Sequence, residues 1–361
     1  MRIAVRYVSP RSASKYICEK LRGPMPAHTR TQLGGWSRCA DAIAYYPSGA
    51  QELAASTTIL TGATAGIGVA TATALASIGG RVVLAARSEE KAKRVIDTIL
   101  AIHPAAQLTF IQLELSSLAS VNAFAGAFRK QMSEGEWPPL RCIVCNAGVI
   151  NFTPKASADG FEDTFAVSHL AHFALVRLLH AELIAAKPSR VVVVSSGSHY
   201  GPHATRNVGS RDALLAHVAR TPPEGRSWGT LKAMRAYGSA KLCNVIFAKT
   251  LQERLCGVDS SGIAACSLHP GTMMSTDIAR DNSLFDFCMK RLLAPFTKDM
   301  DQGSSTTLAC CLRPHSELRG QFYTNCQPMK ESGLANEAAC EVQWQLSEEL
   351  CREVGWPVPA L

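Results

Sequence analysis

The run Thr57-Thr58-Ile59-Leu60, followed at once by Thr61-Gly62-Ala63-Thr64-Ala65-Gly66-Ile67-Gly68 and an alanine-rich stretch, constrains the fold most. A β-rich run, a glycine turn and a helix former in that order build a strand, a tight turn and a helix folded back on the sheet. Glycine lets backbone approach a pyrophosphate closely, and the free N–H groups of the helix start point at it. The spacing here is G-x-x-x-G-x-G rather than G-x-G-x-x-G, so the motif takes its weight from its context. Thr61, Gly62, Thr64, Ala65, Gly66, Ile67 and Gly68 are the candidate dinucleotide contacts.

The next strand, Arg81 to Ala86, ends in Arg87-Ser88. A site that selects NAD places an acid about twenty residues past the glycines, on the ribose hydroxyls. That position is Ala86, which has no carboxylate, and the Arg87 guanidinium after it suits a 2′-phosphate. Arg87 and Ser88 therefore point to NADP(H) over NAD(H); a solvated arginine opening the next helix is the alternative. A charged helix (89 to about 102) and a strand (108–113) lead to Glu114-Leu115. A helix to about 132 and the strand 142–145 then run into Asn146-Ala147-Gly148, small residues that let a flat ring and ribose lie against backbone. Cys142 and Cys145 are three apart on that strand and face opposite sides, which excludes a shared metal. Residues 159–186 read as one long helix, whose His169 and His172 lack an acidic third ligand and read as packed or capping histidines.

Val191-Val192-Val193-Val194-Ser195-Ser196 reads as a buried parallel strand opening onto a ligand crevice. About forty residues later come Tyr237-Gly238-Ser239-Ala240-Lys241. On a helix Tyr237 and Lys241 share a face one turn apart. A phenol titrates near ~10, and a neighbouring ammonium is expected to lower that value toward a usable acid/base. Ser196, Tyr237 and Lys241 are the catalytic candidates. The strand 263–268 leads to Pro270-Gly271. Residues 272–302, rich in Met, Leu and Phe, suit an apolar lid over an apolar substrate, or an ordinary amphipathic core helix. Residues 320–323 read as a last strand and 336–354 as a closing helix.

Composition bounds the rest. At 361 residues, with 47% hydrophobic and 18% charged, the chain can hold one large α/β domain over 51–361. Of the net charge of +8, residues 1–40 carry +7 and the remainder +1, which excludes a nucleic-acid surface. Residues 1–50 show no sustained period and read as a disordered basic leader or a mitochondrial-type presequence, so the expected compartment is cytoplasmic or mitochondrial. No run approaches the ~20 apolar residues of a membrane span, which leaves peripheral membrane contact open. The 13 scattered cysteines read as reduced thiols.

The glycine loop, Asn146-Ala147-Gly148, Ser196, Tyr237 with Lys241, and Pro270-Gly271 resemble the short-chain dehydrogenase/reductases in order and spacing across about residues 57–330. Asp159-Gly160-Phe161-Glu162, Lys241-Leu242-Cys243-Asn244, residues 269–274 and residues 295–298 are similar to the WW-domain-oxidoreductase and retinol-dehydrogenase-like branch. Trp36 is the only tryptophan before Trp137, so the paired tryptophans of a WW module are not visible. The resemblance implies a doubly wound Rossmann fold of about seven parallel strands with helices on both faces. It implies a nicotinamide cofactor, Tyr237 as acid/base, Lys241 on the nicotinamide ribose, and Ser196 orienting an apolar alcohol or carbonyl such as a retinoid, steroid or lipid. It also implies a homodimer through the helices around Tyr237. Where the family carries an asparagine beside the proton-relay water this chain has Ser168, and where it carries an Asp near the adenine this chain has Glu114. The shorter Ser168 weakens the expected relay and leaves a weakly active, cofactor-binding adaptor as the rival reading.

Overall fold

The computed structural model describes residues 32–201, 210–215, 229–256, 262–271 and 298–356. The apolar runs form β1 (Thr57–Thr61), β2 (Arg81–Ala86), β3 (Gln107–Gln112), β4 (Leu140–Cys145), β5 (Ser189–Val194), β6 (Ile263–His269), β7 (Phe322–Thr324) and β8 (Gln327–Met329). Their order in the sheet is β3-β2-β1-β4-β5-β6-β7-β8, with seven strands parallel and β8 antiparallel at the edge. Strand order reverses between β1 and β4, so the crevice of a doubly wound sheet opens at their carboxyl ends. The doubly wound expectation holds, with β8 added by the hairpin at Asn325-Cys326. Both residues have positive φ (53° and 60°), as a two-residue type I′ turn requires.

Two cores follow from the two-residue period of the strands. Ile143 and Cys145 enter one of them, and Cys142 and Val144 the other. The two cysteines do face apart, and no group of three or more His, Cys, Asp or Glu among the described residues could hold a metal. On the first face lie α5 (Leu118–Glu134), α6 (Ala171–Leu178), α7 (Thr230–Leu251) and α9 (Glu337–Glu353). On the second lie α1 (Cys39–Tyr45), α2 (Pro47–Ala54), α3 (Ile67–Ile78), α4 (Glu89–Ile102) and α8 (Met300–Leu312). The closing helix α9 begins where Asn336 Oδ1 accepts the Ala339 N–H at 3.0 Å.

Of the expected leader of residues 1–50, the described part, 32–50, joins the fold instead. Asp41 caps α1 by accepting the Arg38 N–H at 2.8 Å, and Pro47 starts α2. Leu33, Cys39, Ala42 and Leu53 are buried in the second core. A seven-residue helix beside an eight-residue one is too short to show a hydrophobic period, which is why the sequence hides them. α2 packs so closely that a Cβ on Gly49 would fall 1.9 Å from the Leu312 carbonyl oxygen. Gly49→Ala is therefore expected to lower stability by roughly 1–3 kcal/mol, read from a denaturant midpoint. An unchanged midpoint would show that α2 lies outside the cooperative unit.

The expected single helix over 159–186 is also corrected. It is broken into Asp163–Phe165, a π-helical turn Ala166–Leu170, α6, and a short helix His180–Ala185. The expected lid over 272–302 lies outside the described residues up to 297, as do residues 1–31. Among the described residues no helix is long and apolar enough to cross a membrane.

Candidate active site

α7 is pinned to the carboxyl end of β5 by three polar contacts. Ser195 Oγ donates to the Lys241 carbonyl at 2.5 Å, while Lys241 Nζ and Asn244 Nδ2 both donate to the Val194 carbonyl, at 2.9 and 3.1 Å. Ser196 follows Val194-Ser195 directly, and its Oγ accepts the Ser198 N–H at 3.2 Å. The Tyr237 phenol lies close enough to the same Ser196 side chain to feel it electrostatically. Strand end and helix face thus bring Ser196, Tyr237 and Lys241 together, as the sequence spacing requires.

The electrostatics differ from the expectation. Burial pushes the Tyr237 phenol up to about 12, and the neighbouring Ser196 side chain pulls the other way. Lys241 Nζ lies 5.7 Å from the Tyr237 ring centroid and is turned to the Val194 carbonyl, so loss of water prevails over attraction. Burial lowers the Lys241 ammonium to about 8, opposed by the Cys145 thiol.

The glycine loop lies against this group. Gly62 and Gly66 take positive φ (67° and 55°), the region where only glycine is unstrained. A Cβ on Gly68 would meet the Gly62 carbonyl oxygen at 2.1 Å. Thr61 is wholly buried, and its Oγ1 accepts the N–H groups of Asn146 and Ala147 at 2.9 and 3.0 Å. It holds the loop and the Asn146-Ala147-Gly148 segment together from beneath. Asn146 Nδ2 donates to the Thr61 carbonyl at 2.8 Å, and a Cβ on Gly148 would fall 2.9 Å from Lys241 Nζ and 3.5 Å from Ser168 Oγ.

The π-helical turn presents Ser168. Its carbonyl accepts from His172 Nδ1 at 3.1 Å, and His172 Nε2 lies 2.9 Å from Thr61 Oγ1. Burial lowers His172 to about 4, so the ring is neutral at pH 7. A carbonyl can only accept, which puts the ring hydrogen on Nδ1 and makes Nε2 the acceptor of the Thr61 hydroxyl. His172 is thus a packed histidine linking the π turn to the glycine loop. His169 meets Ser347 of α9 at 3.1 Å and also contacts Gln343.

The remaining candidates stand around this centre. Arg87 is exposed at the end of β2, and Ser88 caps α4 by accepting the Lys91 N–H at 3.3 Å. Glu114 follows β3, its Oε1 accepting the Ser116 N–H at 3.1 Å, with Leu115 buried beside it. Pro270 and Gly271 follow β6, Gly271 with φ 103°. Ser195, Asn244 and His172 were not singled out as site residues from the sequence. Their contacts run between elements distant in the chain, and only Asn244, three residues past Lys241, carried a signal.

Among the described residues, Ser168 Oγ and Asn146 Oδ1 are buried without a hydrogen-bond partner, and both border the crevice. Orphaned polar atoms facing a glycine-lined crevice at the switch point of a parallel sheet fit a bound dinucleotide. Fold and site together define a dinucleotide-binding oxidoreductase. The chain belongs to the short-chain dehydrogenase/reductase family, whose members bind NAD(P); residues 56–208 match the family model for short chain dehydrogenase. It is 37% identical over 313 residues to WW domain-containing oxidoreductase of Danio rerio, covering 86% of this chain and 72% of that protein. To retinol dehydrogenase 12 of Mus musculus it is 34% identical over 294 residues, covering 81% and 85%. Among solved structures, an uncharacterized protein from Mycobacterium Paratuberculosis superposes with a TM-score of 0.60 at 26% identity, covering 84% of this chain and 95% of that one.

Proposed function

We propose that the protein is an NADP(H)-dependent oxidoreductase that interconverts an apolar alcohol and its carbonyl. The observation that carries this reading is the convergence of Ser196, Tyr237 and Lys241 at the end of β5, beside the glycine loop. A nicotinamide dinucleotide supplies the hydride acceptor or donor. Ser196 Oγ, beside the phenol, orients the substrate oxygen. Tyr237 gives its proton to that oxygen in reduction and takes it in oxidation. Lys241 puts a positive charge beside the forming phenolate, and with its ammonium brought down to about 8 it exchanges protons near neutral pH.

Glycine-loop residues 61–68, Asn146 to Gly148, and Pro270 with Gly271 hold the dinucleotide, with Glu114 and Leu115 flanking the adenine. Arg87 favours the 2′-phosphate. Substrate polarity is argued from Ile150 and Phe152, which with Ala233 and Ala236 pack a small apolar wall against Tyr237. The apolar composition of residues 272–302 and the likeness to retinol dehydrogenase 12 agree with it. A homodimer through the Tyr237 helix would have to use a face of α7 not already packed against α9.

The test is a titration of the full chain with NADPH and NADH, then turnover on a panel of apolar alcohols and carbonyls. Binding of neither dinucleotide would overturn the reading. One observation favours a second reading, a cofactor-binding adaptor with little turnover: Ser168 stands where the family carries asparagine, buried and unpartnered. If Ser168 takes part in the proton path, Ser168→Ala lowers kcat on the order of tenfold, the worth of one hydrogen bond, without changing dinucleotide affinity. Tight binding with no turnover on the whole panel would decide for the adaptor.

A further inference from the structure

Lys298 immediately precedes Asp299, the cap of α8, and has no role in the chemistry above. It is 7% exposed, and among the described residues its Nζ meets one polar atom, the Pro270 carbonyl oxygen, at 3.5 Å, the outer limit of a hydrogen bond. Its stem lies against Gly271, where a Cβ would fall 2.7 Å from Cδ and 3.0 Å from Nζ. The glycine therefore leaves the space that the lysine fills. The described neighbours do not neutralise the ammonium. The His269 ring is held near 3 by burial, then by Lys298 and His199, and the Cys326 thiol is pushed up by its own burial.

The buried arginines among the described residues are matched by carboxylates: Arg177 by Glu348 at 2.6 Å, Arg190 by Glu52 at 2.8 Å and Arg313 by Glu317 at 2.5 Å. Among the described residues Lys298 and Lys241 are buried lysines without one, and Lys241 belongs to the catalytic group. A buried unpaired ammonium is costly, so its retention calls for an anion that arrives from outside. Place in the fold says which. Six residues on, Ser304 Oγ, within 2.8 Å of the Met300 carbonyl of its own helix, also lies 3.1 Å from the Ile67 carbonyl in the first turn of α3. Lys298 thus stands where the Pro270-Gly271 turn and the start of the glycine-loop helix come together. The second terminus of that gap, the N–H groups of α3, also seeks an anion.

We propose that Lys298 is a phosphate-binding cation of the dinucleotide site, its ammonium completing its charge against the pyrophosphate. This rests on the dinucleotide reading above, and the experiment separates the two. Full-length wild type, Lys298→Met and Lys298→Gln are titrated with NADPH and with 2′-AMP, which carries the 2′-phosphate but no pyrophosphate. If wild type prefers NADH, adenosine replaces 2′-AMP. Thermal melts without nucleotide are recorded beside them.

Both neutral variants are expected to weaken NADPH at least tenfold, to leave 2′-AMP within twofold, and to raise the melting temperature of the nucleotide-free protein, because a buried charge has gone. A purely structural lysine holding the Pro270 carbonyl gives the opposite pattern, a lowered melting temperature with unchanged affinity, and that result overturns the proposal. Equal weakening of NADPH and 2′-AMP overturns it too, since the loss then lies outside the pyrophosphate. Binding of neither dinucleotide by wild type removes the underlying reading and this inference with it.

Discussion

Tyr237→Phe is expected to lower turnover about 10²- to 10⁴-fold and to leave NADPH affinity within about twofold. The phenol hydroxyl is the group placed to exchange a proton with the substrate oxygen, and the ring keeps its place on α7 without it. Burial holds the neutral phenol strongly, at about 12, so proton donation in reduction depends on the positive charge at Lys241. That charge is lost as pH rises through about 8. The rate of carbonyl reduction by the wild type should therefore fall above pH ~8. The residual rate of the phenylalanine variant should stay flat, because the group that Lys241 serves has been removed. Paired pH profiles of kcat on one carbonyl substrate check both statements. A phenylalanine variant that keeps its rate would remove Tyr237 from the chemistry.

Arg87→Asp should weaken NADPH by roughly 100-fold and leave NADH equal or tighter. Two effects add: a charge-assisted contact worth ~1.5–3 kcal/mol goes, and a carboxylate faces the 2′-phosphate in its place. The same carboxylate can accept from the ribose hydroxyls of NAD. Because Arg87 is exposed at the end of β2, the substitution leaves the core untouched. Titration of both dinucleotides, wild type beside variant, reads the change in preference directly. Equal affinities in the two proteins would return Arg87 to the alternative of a solvated helix-opening arginine.

Much of this was legible in the chain because it rests on local rules. The apolar runs that became β1, β2, β4, β5 and β6 are buried on both faces, so they read as strands without any knowledge of their neighbours. The glycine loop announces itself because positive φ and close backbone contact admit no other residue. Tyr237 and Lys241 reveal their common face through the helical period alone. Capping oxygens set the starts of α4 at Ser88 and α9 at Asn336, close to where composition placed them.

Contacts between distant segments settled the rest. No local pattern could say that α1 and α2 join the fold, since their stability comes from burying Leu33, Ala42 and Leu53 against the second core. The π turn at Ala166–Leu170 is equally silent in the sequence, yet it aims Ser168 at Gly148. The sign of the shift at Tyr237 depended on a balance that the sequence does not contain, between the distance to one ammonium and the loss of surrounding water. Lys298 is one more charged residue when read along the chain. Its burial beside Gly271, with no carboxylate paired to it among the described residues, exists only once β6 and α8 are brought together. Residue types and spacing determined which groups could do chemistry. Tertiary packing decided which charges those groups feel, because charge, burial and partner distance belong to the folded arrangement of the whole chain.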